Sequence, residues 1–274
     1  MSAPLDARLV AQELAAAYAN RSAAVAPSER DPSFDLARAY AVEAELTRMR
    51  GAGGRATVGR KVGFANKAMW RVLKLDTLVW AHMYDDTVHY ATAGHAALPV
   101  GRMFSPKIEP EIVFKLKRPL AAGLDPAATL DAVEWLAPGF EIIDCVFPEW
   151  RFTPADFVAA YGLHAALVIG DPMPISAWTI PVLVDRLPRF AARLLKDGEL
   201  AEEGSGRNSL RSPALCLAEL AAAVSRQACA EPLDAGELIS SGTLTTSLAI
   251  SPGETWRVEV DGLDLSPLTL QVLG

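Results

Sequence analysis

Lys107-Ile108-Glu109-Pro110-Glu111-Ile112-Val113-Phe114-Lys115-Leu116 alternates with the period of a β-strand, and its reading decides the fold. Side chains at i and i+2 of a strand leave from the same face. Glu109 and Glu111 therefore project together beside Lys107, while Ile108, Ile112, Phe114 and Leu116 fill the other face. A third glutamate stands in a second apolar run, Phe140-Glu141-Ile142-Ile143. Buried unpaired carboxylates are costly enough that they coordinate a metal, meet a cation or take up a proton, and three that converge favour a hard divalent cation. The same spacing also fits two solvent-facing acids on a half-exposed strand, so spacing alone leaves both readings open.

Outward from this strand, the texture divides the chain. The alanine-rich N-terminal part reads as two helices, Leu5 to Arg21 and Asp35 to Arg50, with Leu9, Val10, Leu14 and Tyr18 at helical spacing in the first. Residues 26–32 are a loop by composition, Ser33-Phe34-Asp35 offers a cap, and Gly51-Ala52-Gly53-Gly54 ends the second helix. From Thr57 onward short β-like runs alternate with turns: Arg60–Phe64, Thr87–Tyr90, Lys107–Leu116, Gly139–Val146, Ala165–Ile169, Ile180–Leu187, Ala191–Lys196, Leu238–Ser240 and Glu254–Val260. Asp197-Gly198 reads as a hairpin turn after Leu194-Leu195. Further helices are expected at Lys67–Leu73, Pro126–Leu136, Pro154–Tyr161 and Pro213–Ser225. Regular β-α-β alternation is missing, which argues for an α+β fold with a mixed or largely antiparallel, barrel-like β core and peripheral helices. The expected division is a helical segment over 1–56 and a β domain over 57–274.

Composition excludes several classes. A chain of 274 residues, 51% hydrophobic and 22% charged, is long and apolar enough to bury a large core. Its net charge of −7 and pI near 5.2 argue against nucleic acid as a partner, and no local Lys/Arg cluster offsets them. Cys145, Cys216 and Cys229 are odd in number, lack C-x-x-C spacing and sit in apolar surroundings, as reduced core cysteines do. Asp6 and Glu13 interrupt the N-terminal alanines, so no signal peptide is expected there. The longest apolar stretch, Phe157 to Gly170, falls short of the ~20 residues a membrane span needs. The expected location is therefore cytoplasmic, with no membrane partner.

Several motifs fail. Gly51-Ala52-Gly53-Gly54-Arg55-Ala56 resembles a dinucleotide fingerprint but closes a helix instead of following a strand, and neither a Walker lysine nor a G-x-S-x-G elbow occurs. His89 and His95 fall in a Gly/Ala/Thr-rich stretch read as loop, without metal-ligand spacing. What survives lies at strand ends. Lys61, in Gly59-Arg60-Lys61-Val62-Gly63-Phe64, must reach an acid or a ligand unless it snorkels to solvent. Gly236-Glu237-Leu238-Ile239-Ser240-Ser241-Gly242-Thr243-Leu244-Thr245-Thr246 runs a strand into a turn whose N–H groups and hydroxyls suit a carboxylate or phosphate, or simply make a turn.

Gly59-Arg60-Lys61-Val62-Gly63, Ile108-Glu109-Pro110-Glu111-Ile112, Phe140-Glu141-Ile142, Asn208-Ser209-Leu210 with Pro213, and Ile239-Ser240-Ser241-Gly242-Thr243-Leu244 together resemble the fumarylacetoacetate hydrolase superfamily. Within it the chain is most similar to the 2-oxopent-4-enoate hydratase and 4-oxalocrotonate decarboxylase branch, over nearly its whole length. The resemblance implies a mixed β-roll, a Mg²⁺ or Mn²⁺ ion on Glu109, Glu111 and Glu141, a catalytic Lys61, and a substrate carboxylate on the Ser241-Gly242-Thr243 turn. It implies small-molecule 2-oxo acids or their dienols from aromatic meta-cleavage as substrates, and a homo-oligomer. Three monodentate carboxylates leave an octahedral ion about three positions for a chelating 2-oxo acid and water. They also leave a net charge of about −1, which an ammonium such as Lys61 offsets.

The chain departs from that pattern twice. Ala81-His82-Met83 stands where the branch has Ala-Asp-Met, and Tyr161-Gly162-Leu163-His164 stands where a polar Asp-Asn segment is usual. His82 and His164 thus become candidate proton shuttles, and equally candidates for pocket lining or satisfied core positions. The leading activity is hydration of 2-hydroxypenta-2,4-dienoate, with 4-oxalocrotonate decarboxylation sharing the apparatus. An acylpyruvate hydrolase of the same superfamily carries a histidine in an N-terminal lid, and the first sixty residues here contain none. A non-catalytic partner subunit has no physical reason to keep a costly acid cluster beside a lysine.

Overall fold

The computed structural model describes residues 5–227 and 230–274. Asp6 caps α1 (Ala7–Asn20) by accepting from the Leu9 N–H, and the helix buries Val10, Ala11, Leu14 and Ala17 along one face. A short helix, α2 (Pro27–Arg30), precedes α3 (Leu36–Ala52), which Asp35 caps and Gly53 ends. The rest of the chain forms β1 (Thr57–Gly63), α4 (Lys67–Leu73), β2 (Val79–Tyr84), β3 (Val88–Tyr90), β4 (His95–Pro99), β5 (Lys107–Leu116), α5 (Pro126–Asp131), β6 (Val133–Ile143), α6 (Pro154–Ala159), β7 (His164–Ile169) and β8 (Met173–Pro174). These are followed by α7 (Ile180–Arg186), β9 (Ala191–Lys196), β10 (Glu199–Ser205), α8 (Pro213–Ser225), β11 (Leu238–Ser240), β12 (Leu248–Ala249), β13 (Thr255–Asp261) and β14 (Leu268–Leu273).

Two mixed sheets make the β core of this α+β fold. The larger runs β2-β1-β11-β5-β6-β7-β3, with β12 on β5 and β8 on β6; the smaller runs β10-β9-β13-β14-β4. Three pairings are parallel, β1 with β11, β3 with β7 and β4 with β14, and the others are antiparallel. The main core lies between the sheets, where Ile108, Ile112 and Phe114 of β5 and Phe140 of β6 meet Leu194, Trp256 and Leu270, with α8 contributing Leu217 and Leu220. A second core joins α1 and α3 to Ile143, Val146 and Phe147 and to Phe157 and Val158 of α6. The N-terminal helices thus pack beside the end of β6, close to Glu141. In β5, Pro110 lacks an N–H where neither β11 nor β12 pairs. The turn after β11 covers that gap, with Ser241 N donating to Ile112 O and Leu244 N to Pro110 O.

Several expectations need correction. The run 180–187 is the helix α7, because Pro181 suits a first helical turn and Ile180, Leu183 and Leu187 bury at i, i+3 and i+7. The helix expected over 126–136 stops at Asp131; Val133 to Leu136 already belong to β6, which ends at Ile143 because Asp144 turns to accept from Phe104 N and Ser105 N. Strands β2, β4, β8, β12 and β14 were not anticipated; His95 lies in β4 instead of a loop, and His89 lies in β3, within the expected run Thr87–Tyr90. Cys145 and Cys216 are buried free thiols; Cys229 lies outside the described residues.

Candidate active site

Strand register assembles the acids. Glu109 and Glu111 leave the same face of β5, and the antiparallel β5–β6 pairing sets Glu141 directly opposite Glu109. One carboxylate oxygen of each of the three lies within 4.8 Å of the others. Like charges opposite one another in a sheet are destabilising, so something must offset them. From β1 comes Lys61, whose side chain is almost fully buried and whose Nζ stands 3.1 Å from Glu141 Oε2, an ion-pair contact short of hydrogen-bond alignment. The ammonium also donates to Gly162 O at 2.9 Å and sits 4.7 Å from the Phe157 ring centre. On its other side, Glu141 Oε1 lies 2.9 Å from Nδ1 of His164, whose Nε2 is 2.9 Å from Thr87 Oγ1. Glu111 Oε2 accepts from Ser240 Oγ at 2.5 Å and from Gly242 N at 2.7 Å.

Two buried oxygens, Glu111 Oε1 and Glu141 Oε2, have no hydrogen-bond donor. An unsatisfied buried carboxylate oxygen costs free energy that a divalent cation would recover, and three hard oxygen donors in one cluster fit Mg²⁺ or Mn²⁺. The charge distribution agrees. Burial, then the charges of Glu141 and Glu109, pushes Glu111 well above the ordinary carboxylate value. Burial raises Glu109 to about 7, against the pull of Lys61. Burial acts on Glu141 in the same sense, but Lys61 and His164 outweigh it and hold this carboxyl below its ordinary value. Protonation is thus favoured on Glu111 and Glu109 and disfavoured on Glu141, which Lys61 and His164 flank.

Lys61 and Glu109 open onto a cavity of about 590 Å³. Phe64, Trp150, Phe152 and Phe157 form its aromatic wall, and Asn66, Lys107 and Asn208 add polar groups. Lys107 Nζ stacks 3.8 Å from the Trp150 ring centre at the rim. Of the Ser241-Gly242-Thr243 turn, Gly242 and Thr243 line the cavity, whereas Ser241 Oγ donates to Ile112 O. His164 joins the acids, but His82 does not. In the β1–β2 register Ala81 faces the same side as Lys61, and His82 shares the opposite face with Arg60. There its Nδ1 lies 2.7 Å from Glu43 Oε1 of α3, with the ring edge-on to Trp80. Sequence reasoning missed Ser240, Thr87 and Gly162 as contacts of the cluster. Only Ser240 carried a local signal, as the residue where β11 enters its turn.

A mixed α+β core that gathers three carboxylates around a buried ammonium, with Lys61 and Glu109 opening onto one cavity, defines a metal-type acid cluster. A family model described as the fumarylacetoacetate (FAA) hydrolase C-terminal domain matches residues 79–272. The chain is 31% identical over 265 residues to 2-keto-4-pentenoate hydratase 1 of Dechloromonas aromatica (strain RCB), covering 94% of this chain and 96% of that one. It is 28% identical over 233 residues to a 4-oxalocrotonate decarboxylase of Pseudomonas sp., covering 85% and 86%. The solved structure of the 4-oxalocrotonate decarboxylase of Pseudomonas putida G7, complexed with magnesium and adipate, superposes with a TM-score of 0.87 at 24% identity over 97% of both chains. The chain belongs to the fumarylacetoacetate hydrolase family.

Proposed function

We propose that this protein is a divalent-metal-dependent lyase acting on 2-oxo acids or their dienol tautomers, and that it hydrates 2-hydroxypenta-2,4-dienoate or a close analogue. The observation that carries this reading is the acid trio, with two oxygens that lack a hydrogen-bond donor, beside the Lys61 ammonium; Lys61 and Glu109 bring it to the wall of a cavity large enough for such a substrate. The named relatives, which include both hydratases and decarboxylases, support the same reaction class. Glu109, Glu111 and Glu141 would hold Mg²⁺ or Mn²⁺; when bound, that ion supplies Lewis acidity toward a 2-oxo acid. Lys61 offsets the remaining negative charge and holds a proton at Nζ within reach of the cavity. His164 orients Glu141, Ser240 and Gly242 orient Glu111, and Gly242 with Thr243 faces the substrate carboxylate. The aromatic wall excludes water from the carbon chain.

Decarboxylation of 4-oxalocrotonate uses the same residues, so product analysis decides between the two. Purified protein with Mg²⁺ is incubated with a panel of 2-oxo-enoates while dienol absorbance and CO₂ release are followed separately. Dienol loss without CO₂ supports hydration, and CO₂ evolution supports decarboxylation. Inertness toward both, with cleavage of an acylpyruvate, would replace the reading with a hydrolase. Among the described residues no helix is long and apolar enough to cross a membrane. We also propose a cytoplasmic location, checked by cell fractionation, and a homo-oligomer, checked by light scattering.

A further inference from the structure

We infer that the turn Tyr161-Gly162-Leu163 is a positioning device for Lys61, and that Gly162 is the residue that makes it possible. The inference rests on the proposed role of Lys61 and adds the elements that fix its ammonium. Three successive residues of this turn are left-handed, with φ of 57°, 59° and 56°. Tyr161 and Leu163 carry side chains, for which that conformation is disfavoured, and it persists only where the surroundings over-determine it.

The surroundings here come from four places: the ends of α6 and β6, and the helix α1 and strand β2. Leu163 N donates to Ala160 O at 2.8 Å, and Leu163 O accepts from Asp144 N at 2.9 Å. From α1, Tyr18 OH donates to Asp144 O at 3.0 Å and lies 3.5 Å from Ala160 O, clasping the chain just before the turn and just after β6. The Tyr161 ring meets Tyr18 edge-on at 5.8 Å and Tyr84 of β2 at 6.3 Å.

What the strained turn delivers is a carbonyl. Gly162 O accepts from Lys61 Nζ, and the next side chain, His164, holds the far side of Glu141. One four-residue segment therefore grips both partners of the Lys61–Glu141 pair. Of the three ammonium N–H bonds, one is committed to Gly162 O and one faces Glu141, which leaves one for the cavity. A side chain at 162 does not fit. A Cβ there would stand 2.8 Å from Ala81 Cβ and 2.9 Å from Lys61 Cδ, so the lysine stem would have to move.

The test compares wild type with Gly162→Ala and Tyr18→Phe. Mg²⁺ affinity is measured by calorimetry, and kcat and KM are measured on the best 2-oxo-enoate. The lysine NH₃⁺ signals are read by ¹H–¹⁵N NMR, with Lys61→Gln for assignment. A hydrogen-bonded, slowly exchanging Lys61 signal is expected in wild type, lost or shifted in G162A and weakened in Y18F. G162A should lose at least about tenfold in kcat while KM and Mg²⁺ affinity stay within about threefold; Y18F, which removes one hydroxyl, should show the same split more mildly. An unchanged Lys61 signal in both variants overturns the inference, as does parallel loss of Mg²⁺ affinity and kcat, which signals collapse of the whole site. If G162A does not fold, Y18F decides by the same readings. If wild type turns over no 2-oxo acid, the proposed function fails and the NMR comparison still decides the positioning role.

Discussion

Metal uptake should be tied to pH, and the structure sets both the sign and the size of the dependence. In the metal-free cluster, burial raises Glu109 to about 7, and Glu111 lies well above the ordinary value. A divalent ion binds the ionised forms, so protons compete with it, and apparent affinity falls as pH drops through 7. Glu109 alone weakens binding by about tenfold between pH 8 and pH 6, and Glu111 steepens the slope beyond that. Glu141 contributes little, because Lys61 and His164 already hold it ionised. Calorimetry of chelator-stripped protein with MgCl₂ at pH 6, 7 and 8, in buffers of different ionisation heat, counts the protons released. Between one and two per ion are expected near pH 6.5, and Glu109→Gln should remove about one of them. The sign for stability runs the same way. A carboxyl whose folded pKa exceeds its unfolded value stabilises the metal-free fold below pH ~4.5, and that contribution is lost as pH rises through 7. The melting-temperature gain on adding Mg²⁺ should therefore grow from pH 6 to pH 8. A dissociation constant flat across that range, with no proton release, would refute the placement of these acids as a shared buried site.

Further outcomes separate the roles assigned to individual side chains. Lys61→Met should lower kcat by about 10²- to 10⁴-fold in steady-state assays without weakening Mg²⁺ uptake, since it removes a proton carrier and a positive charge beside the ion. Ser240→Ala deletes one of two donors to Glu111 Oε2 and should weaken Mg²⁺ affinity by about 10- to 100-fold, read by calorimetry. His82→Gln should leave enolisation of a simple 2-oxo acid within about threefold of wild type. It should nonetheless cost about 1–3 kcal/mol in urea denaturation, because the buried Glu43 carboxylate loses its 2.7 Å imidazole contact and keeps only the weaker donors His82 N and Thr47 Oγ1.

The contrast between His82 and His164 shows what a sequence carries and what it leaves to register. The strand β5 was legible to the residue, because strict alternation put apolar side chains on one face and two acids on the other within ten positions. Elements with clear end signals, such as α4, α8, β9 and β11, were legible for similar local reasons. The run 180–187 was not, since a short apolar segment has no decisive period and Pro181 alone tips it toward helix. Site membership depends on pairings between distant strands. Lys61 registers with Ala81 and Ser240, and Glu109 with Glu141. Had β2 been shifted by one residue against β1, His82 would share a face with Lys61 and Ala81 would point toward α3, because a one-residue slip exchanges the two faces of a strand. No local feature of Ala81-His82-Met83 encodes that choice. It is set by Trp80, whose buried ring packs under Tyr40 of α3 at 5.0 Å, and by Glu43 one turn further along the same helix, which accepts from the His82 backbone N–H and meets its ring. Helix α3 thus draws one histidine away from the acids, while the turn at Gly162, secured by α1, delivers the other to them.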